Sequence, residues 1–324
     1  KCISTYIGID VSAHFFHATI IDSNREMLEQ FEAIDSDEGS LRDWANDVSA
    51  KYAETSKICI CMEHTGVYSL KLAKFFHEFG FEIFMVAPQL LKKISSIRKA
   101  KTDKLDSHAL ADYLSRYDDK LKVWQPKSEE LQQLERLLSA REFFVKNKIA
   151  LKNRINAEKH HSSNSYVLGA FRKELKGLES SIKDIEKEIN NAVKKTSELM
   201  EFRNLAKSVP GVGDLLACEI MVTTELLGTC NSSKQLRSYL GIAPIIQQSG
   251  ISQKAKASST GHGPSRIRRL LHLAARTVVT HYPEFREYYI RKVEEGKAKM
   301  LVLNNIENKL INIIWAVIQN NKAY

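Results

Sequence analysis

The hydrophobic pattern of this chain changes period once, near residue 126, and that change constrains the fold more than any other feature. Before it, apolar residues come in short runs: Tyr6–Asp10, Phe15–Ile21, Met27–Ile34, Lys57–Met62 and Glu82–Val86. Runs of this length and composition read as strands. Between them Ser40–Tyr52, Val67–Phe79 and Asp106–Tyr117 repeat apolar residues at helical spacing, with Gly80 placed to stop the second. The expected order is strand, strand, strand, helix, strand, helix, strand, helix, an α/β domain over residues 1–126.

After residue 126 the period is helical. Residues 127–200 carry Leu131, Leu134 and Leu138, then Leu175, Leu178, Ile182, Ile185 and Ile189, the spacing of a coiled-coil seam, interrupted by the polar run His160–Gly169. Two long helices joined by a turn are expected, serving equally well as a spacer or as a dimerisation arm. Residues 201–324 are expected to be mostly helical. There Pro210-Gly211-Val212-Gly213 separates two apolar helices. A helix-hairpin-helix has this form, its glycines turning backbone N–H groups toward a phosphate; a plain packing corner has the same signature. Met300–Gln319 reads as an amphipathic core helix.

Charge narrows the partner. Lys and Arg number 48 against 39 acids, a formal net charge of +9. That favours a polyanion, either nucleic acid or an anionic membrane surface. The surplus is concentrated: no acid occurs between Glu225 and Glu284, a stretch holding Lys234, Arg237, Lys254, Lys256, Arg266, Arg268, Arg269 and Arg276. Solvated faces ordinarily mix signs. This window is therefore expected to meet phosphates, and Gly211, Gly213, Lys254, Lys256, Arg266, Arg268 and Arg269 are the candidate nucleic-acid-binding residues. No uninterrupted run of about 18 apolar residues suggests a membrane span. The first residues lack a signal-peptide pattern, and five cysteines without CxxC spacing fit a reducing cytoplasm.

Four acids of the first domain stand where strands end or a helix begins. Asp10 closes the first strand, and Glu63 closes the fourth, before His64-Thr65-Gly66. Asp103 and Asp106 are three apart, so a helix start sets both on one face. First and fourth strands of such a sheet are commonly neighbours, which would bring Asp10 beside Glu63. Like-charge repulsion disfavours such a cluster unless cations neutralise it, and oxygen ligands at this density suit Mg²⁺ or Mn²⁺. Two such ions can activate a nucleophile and stabilise a leaving oxygen in phosphodiester cleavage. Each acid taken singly is equally a strand-end cap or a surface charge.

Gly8-Ile9-Asp10, Glu63-His64-Thr65-Gly66 and Lys101-Thr102-Asp103 with Asp106 resemble the DEDD signature of transposases of the insertion-sequence 110 family, a group that also contains DNA invertases. The likeness continues through Ser208–Gly213, Leu236–Pro244, Gln248-Ser249-Gly250 and Arg268–Ala275. The resemblance implies three domains: an RNase H-like (RuvC-like) α/β domain over 1–126, a helical coiled-coil connector over 127–200, and a mostly helical transposase domain over 201–324 with a helix-hairpin-helix. It implies a composite active site in which Asp10, Glu63, Asp103 and Asp106 hold Mg²⁺ or Mn²⁺ and Ser249 is the nucleophile. It further implies DNA as substrate, a guide RNA encoded with the element, a homodimer or homotetramer, and a cytoplasmic, nucleoid-associated place in a bacterium or archaeon.

A serine attacking a DNA phosphate conserves the phosphodiester energy in a covalent link, so a strand can be rejoined without ATP. Gly250 permits close approach of backbone to DNA, while Ser252, Ser258 and Ser259 lie near enough to compete with Ser249. The chain departs from many relatives at Ile245-Ile246, where an Arg is common, and at Thr260-Gly261-His262, often more basic. His160-His161 lacks metal-ligand spacing and reads as a surface turn. His64 is a candidate to orient Glu63, and His14 and His17 read as structural. There is no phosphate loop for ATP. Two other function classes fit the same residues: a metal-dependent junction nuclease needing the acids but not Ser249, and a non-catalytic nucleic-acid-binding protein. A site-specific invertase shares the transposase chemistry.

Overall fold

The computed structural model describes residues 4–52, 57–64, 66–87, 103–160, 165–245, 258–259 and 263–324. The chain divides into two compact units, Lys1–Pro126 and Lys127–Tyr324. In the first, β1 (Ser4–Val11), β2 (Phe15–Ile21) and β3 (Met27–Asp35) precede α1 (Glu38–Tyr52), β4 (Lys57–Glu63), α2 (Val67–Glu78), β5 (Glu82–Val86) and α3 (Asp103–Tyr117). This is the order expected from the periodicity, with α3 starting one turn earlier than its apolar pattern. The sheet runs β3-β2-β1-β4-β5. Short turns make β1, β2 and β3 an antiparallel meander, whereas the helical crossovers through α1 and α2 set β4 parallel to β1 and β5 parallel to β4.

Alternation of side chains gives the sheet two apolar faces. Ile7, Ile9, Ile58, Ile60 and Met62 pack on one side with Leu41, Trp44, Val48, Leu72 and Phe76 of α1 and α2. Tyr6, Cys59, Cys61 and Phe84 pack on the other with Leu110, Ala111 and Leu114 of α3. The second contact is unusually close. A Cβ on Gly8 would lie 1.9 Å from the carbonyl oxygen of Ser107 and 2.5 Å from the nitrogen of Ala111. Glycine is thus what lets α3 lie on the sheet. Beside it Thr19, opposite Gly8 on β2, shares a buried hydroxyl hydrogen bond of 2.8 Å with Ser107.

The second unit begins with α4 (Glu129–His160) and α5 (Ser165–Lys194). They pair antiparallel: Arg141 of α4 bonds Glu186 of α5 at 2.8 Å, and Lys148 lies 3.9 Å from Glu179. Then follow α6 (Ser197–Ser208), α7 (Asp214–Thr223), α8 (Ser233–Tyr239), the short strands β6 (Pro244–Ile245) and β7 (Ser258–Ser259), α9 (Ser265–His281), α10 (Pro283–Glu294) and α11 (Lys299–Gln319). The base of the hairpin shares the core of these later helices, since Leu131, Leu134, Leu138, Ile189 and Val193 cluster with Phe202, Ile220, Leu271, Val278 and Ile314. Residues 127–200 and 201–324, read as separate stretches in the sequence, have one core between them. By length and composition α11 passes as a membrane span, with mean hydropathy 1.2. Asn304, Asn305, Glu307 and Lys309 interrupt its apolar run. Val302, Ile306, Leu310, Ile311 and Ile314 are fully buried, so its apolar face is taken up within the unit.

Candidate functional site

Strands β1 and β4 run parallel with Ile9 opposite Met62. The next residues, Asp10 and Glu63, therefore stand level at the carboxyl ends of neighbouring strands. Both are half-buried. Gly8 and Cys61, two residues back, face α3, so alternation sets Asp10 and Glu63 on that same side. Helix α3 runs against β1. Ser107 near its start covers Gly8, while Asp118 just past its end accepts a 2.7 Å hydrogen bond from Tyr6. Burial and this carboxylate push the Tyr6 phenol up to about 12. The first turn of α3, opening at Asp103, is thus directed toward the end of β1 that carries Asp10. Asp106 is half-buried there; the side chain of Asp103 lies outside the described residues. Among the described residues no group of three or more His, Cys, Asp or Glu is gathered closely enough to hold a metal. His64 is exposed, and its backbone N–H bonds Val86 across to β5 at 2.9 Å.

In the second unit Ser249, Lys254 and Lys256 fall in 246–257, outside the described residues. The flanks of that segment are described. Pro244 and Ile245 pair antiparallel with Ser259 and Ser258. The carbonyl of Ile242 accepts a 3.0 Å bond from buried Asn308. Gly263 comes so near Leu240 that a Cβ would lie 2.1 Å from its carbonyl oxygen. In the Pro210–Gly213 turn, Gly211 has φ +78°, and a Cβ there would stand 2.7 Å from Val278 of α9. Packing against α9 accounts for that glycine. Gly213 has open space around it. Asp214, in the first turn of α7, draws Lys207 to 2.8 Å.

The acid-free window is not free of acids in space. Arg266 lies 3.3 Å from Glu219 of α7. Arg269 makes a two-pronged contact of 3.1 and 2.7 Å with Glu142 of α4. His272 Nδ1 is 3.0 Å from Glu307 of α11. Arg266 and Arg269 are thus each paired with a carboxylate that helix packing brings from outside the window. The Arg269 fork holds the Glu142 carboxyl below its ordinary range. Burial raises Glu219 against the pull of Arg266, and raises Glu307 against that of His272. Arg268 differs, since its Nε is buried and has no hydrogen-bond acceptor among the described residues. These three acids are absent from the sequence-based candidates, although a signal exists. Glu142 continues the seam of Leu131, Leu134 and Leu138, and Glu219 and Glu307 interrupt apolar helices. An acid at a core position needs a partner.

Residues 7–158 match the transposase family DEDD_Tnp_IS110, and residues 203–290 match the Transposase IS116/IS110/IS902 family. Pilin gene-inverting proteins of Moraxella bovis and Moraxella lacunata are each 30% identical over 324 residues, covering 99% of this chain and 97% of theirs. The chain belongs to the IS116/IS110/IS902 transposase family. Another similar protein, the transposase for insertion sequence element IS1111A of Coxiella burnetii, is 23% identical over 297 residues, 82% of this chain and 79% of that one. The T. thermophilus RuvC solved in complex with a Holliday junction substrate aligns at 11% identity and a TM-score of 0.28, over 37% of this chain and 99% of that chain. In this member of the transposase family the first matched segment contains Asp10, Glu63, Asp103 and Asp106. The second contains the Pro210–Gly213 turn, Ser249 and α9.

Proposed function

We propose that this protein is a DNA recombinase, the transposase of an insertion sequence, which cuts and rejoins DNA strands through a serine ester. The observation that carries the reading is the 30% identity to gene-inverting proteins over 99% of the chain. The strand order β3-β2-β1-β4-β5 supports an RNase H-like (RuvC-like) first unit. The turn between α6 and α7 suits a helix-hairpin-helix, and the α4–α5 pair a coiled-coil arm for oligomerisation.

Asp10, Glu63, Asp103 and Asp106 fit a divalent cation: their donors are all carboxylate oxygens, the hard ligands that Mg²⁺ or Mn²⁺ takes, and two of them stand level on adjacent strands. Bound there, such a cation supplies positive charge that eases deprotonation of a hydroxyl and stabilises a departing oxygen. Ser249 supplies the nucleophile. Its Oγ forms a bond to phosphorus as one P–O bond to a sugar breaks; the Oγ proton passes to a base, and the freed sugar oxygen takes up a proton. The resulting ester keeps the bond energy until a hydroxyl of the incoming strand displaces the serine. Lys254 and Lys256 neutralise the DNA backbone. A guide RNA encoded with the element pairs with donor and target, consistent with a net charge of +9. Exchange between two duplexes calls for a homodimer or homotetramer. Site-specific inversion, favoured by the same gene-inverting relatives, is the second reading and uses the same chemistry.

The test uses purified protein with its co-purified RNA, Mg²⁺ and DNA carrying the element junction and target, resolved under denaturing conditions. A protein–DNA adduct is expected in the wild type and absent in both Ser249→Ala and Asp10→Asn. Cuts without an adduct, unchanged by Ser249→Ala, would replace the reading by a metal-dependent junction nuclease. Sequencing the joined products separates transposition from inversion.

A further inference from the structure

The basic side chains at the start of α9 are of two kinds. Arg266, Arg269 and His272 each meet an acid from another helix, at 3.3 Å from Glu219, 2.7 Å from Glu142 and 3.0 Å from Glu307. Arg268, set among them, meets none among the described residues. Its side chain is half-buried, and its Nε is shut off from solvent without an acceptor. Buried donors are ordinarily satisfied, so an orphan in a folded chain asks for a missing partner. Nearby sequence supplies no carboxylate, because no Asp or Glu occurs between Glu225 and Glu284. That stretch includes both the segment joining β6 to β7 and the approach to α9. The first turn of α9 is likewise without an acid. Helical spacing sets Arg268 one turn before His272 on the same stripe, beside core residues Ile267 and Leu271. No hydrogen bond or ion pair to a described residue takes up the terminal guanidinium nitrogens of half-buried Arg268, and an uncommitted guanidinium fork is matched to an oxyanion such as a phosphate.

We propose that Arg268 binds a backbone phosphate of the nucleic acid, whereas Arg266 and Arg269, its neighbours in sequence, are positioning residues that hold α9 through Glu219 and Glu142. The inference rests on the reading of the protein as a DNA recombinase, and it divides a cluster whose members look alike in the sequence.

The test measures binding of the full chain to a fluorescein-labelled DNA duplex of about 30 base pairs, by anisotropy at roughly 50 to 200 mM salt, alongside thermal unfolding. Arg268→Gln is expected to weaken binding about tenfold. It should also reduce the slope of log affinity against log salt by about 0.9, one phosphate contact, with the unfolding temperature unchanged. Arg266→Gln and Arg269→Gln are expected to do the reverse, lowering the unfolding temperature and leaving the slope alone. Arg268→Lys should restore the slope but not the full affinity, since an ammonium cannot reproduce the fork. A slope unaffected by Arg268→Gln, or lowered equally by the other two variants, would overturn the assignment while sparing the DNA-binding reading. A wild-type chain without salt-dependent binding would overturn both. If Arg268→Gln does not fold, Arg268→Lys decides, and wild-type affinity in that variant would overturn the proposal.

Discussion

Gly8 does at one residue what a row of apolar side chains cannot: it lets the backbone of α3 touch the sheet. A methyl group there would meet the Ser107 carbonyl at 1.9 Å, backbone against backbone, with no flexible side chain to yield. Gly8→Ala is therefore expected to cost about 1–3 kcal/mol or more. Because α3 begins with Asp103 and Asp106, it should also abolish DNA cleavage; retained cleavage in a folded Gly8→Ala protein would show that α3 does not carry the acids that matter. Glu142 is the other residue with a sharp expectation. Arg269 holds its carboxyl below the ordinary 4.5. A lowered acid adds stability that is complete above the ordinary value and is lost as pH falls through the folded-state value. Glu219 and Glu307 are raised by burial and act with the opposite sign, since protonation relieves their cost. Unfolding temperatures from about pH 7 to about pH 3 should thus fall more steeply in the wild type than in Glu142→Gln. Parallel curves would remove Glu142 as the source of acid sensitivity.

Helix α9 is the element on which the second unit turns. Its apolar stripe, Ile267, Leu271, Ala274, Ala275 and Val278, is buried, and Arg266, Arg269 and His272 reach acids on α7, α4 and α11. The Arg269 side chain is 54% exposed, so water screens its pair with Glu142. A double-mutant cycle on the two should return a coupling of about 1 kcal/mol, not the several expected of a fully buried pair. A coupling near zero would mean that packing alone seats α9 against α4. Elements of this kind are only half legible beforehand. The apolar spacing of α9 marks it as a helix, but its charges in isolation suggest an open phosphate-binding face. The acids that change that picture sit in other helices and look there like interruptions of apolar runs. Asp10 and Glu63 illustrate the converse: their strand-end positions are readable, and the parallel register of β1 with β4 sets them level.

At the scale of the molecule the two units have separate cores. Trp44 and Trp124 belong to the first and Trp315 to the second. Gly8→Ala should accordingly move the tryptophan fluorescence transition to lower temperature more than the far-ultraviolet helix signal, which the long helices of the second unit dominate. Coincident shifts would show that the units unfold as one. The kind and order of the first unit's elements and the family likeness are legible in the linear chain, because periodicity and motif spacing are local properties. The partners of Arg266, Arg269 and His272 are not, and neither is the need for glycine at Gly8. Each of these depends on what an element packs against, as when Arg269 meets Glu142 across 127 positions. Charge pairing and steric contact act through space, and only folding brings such distant residues within reach.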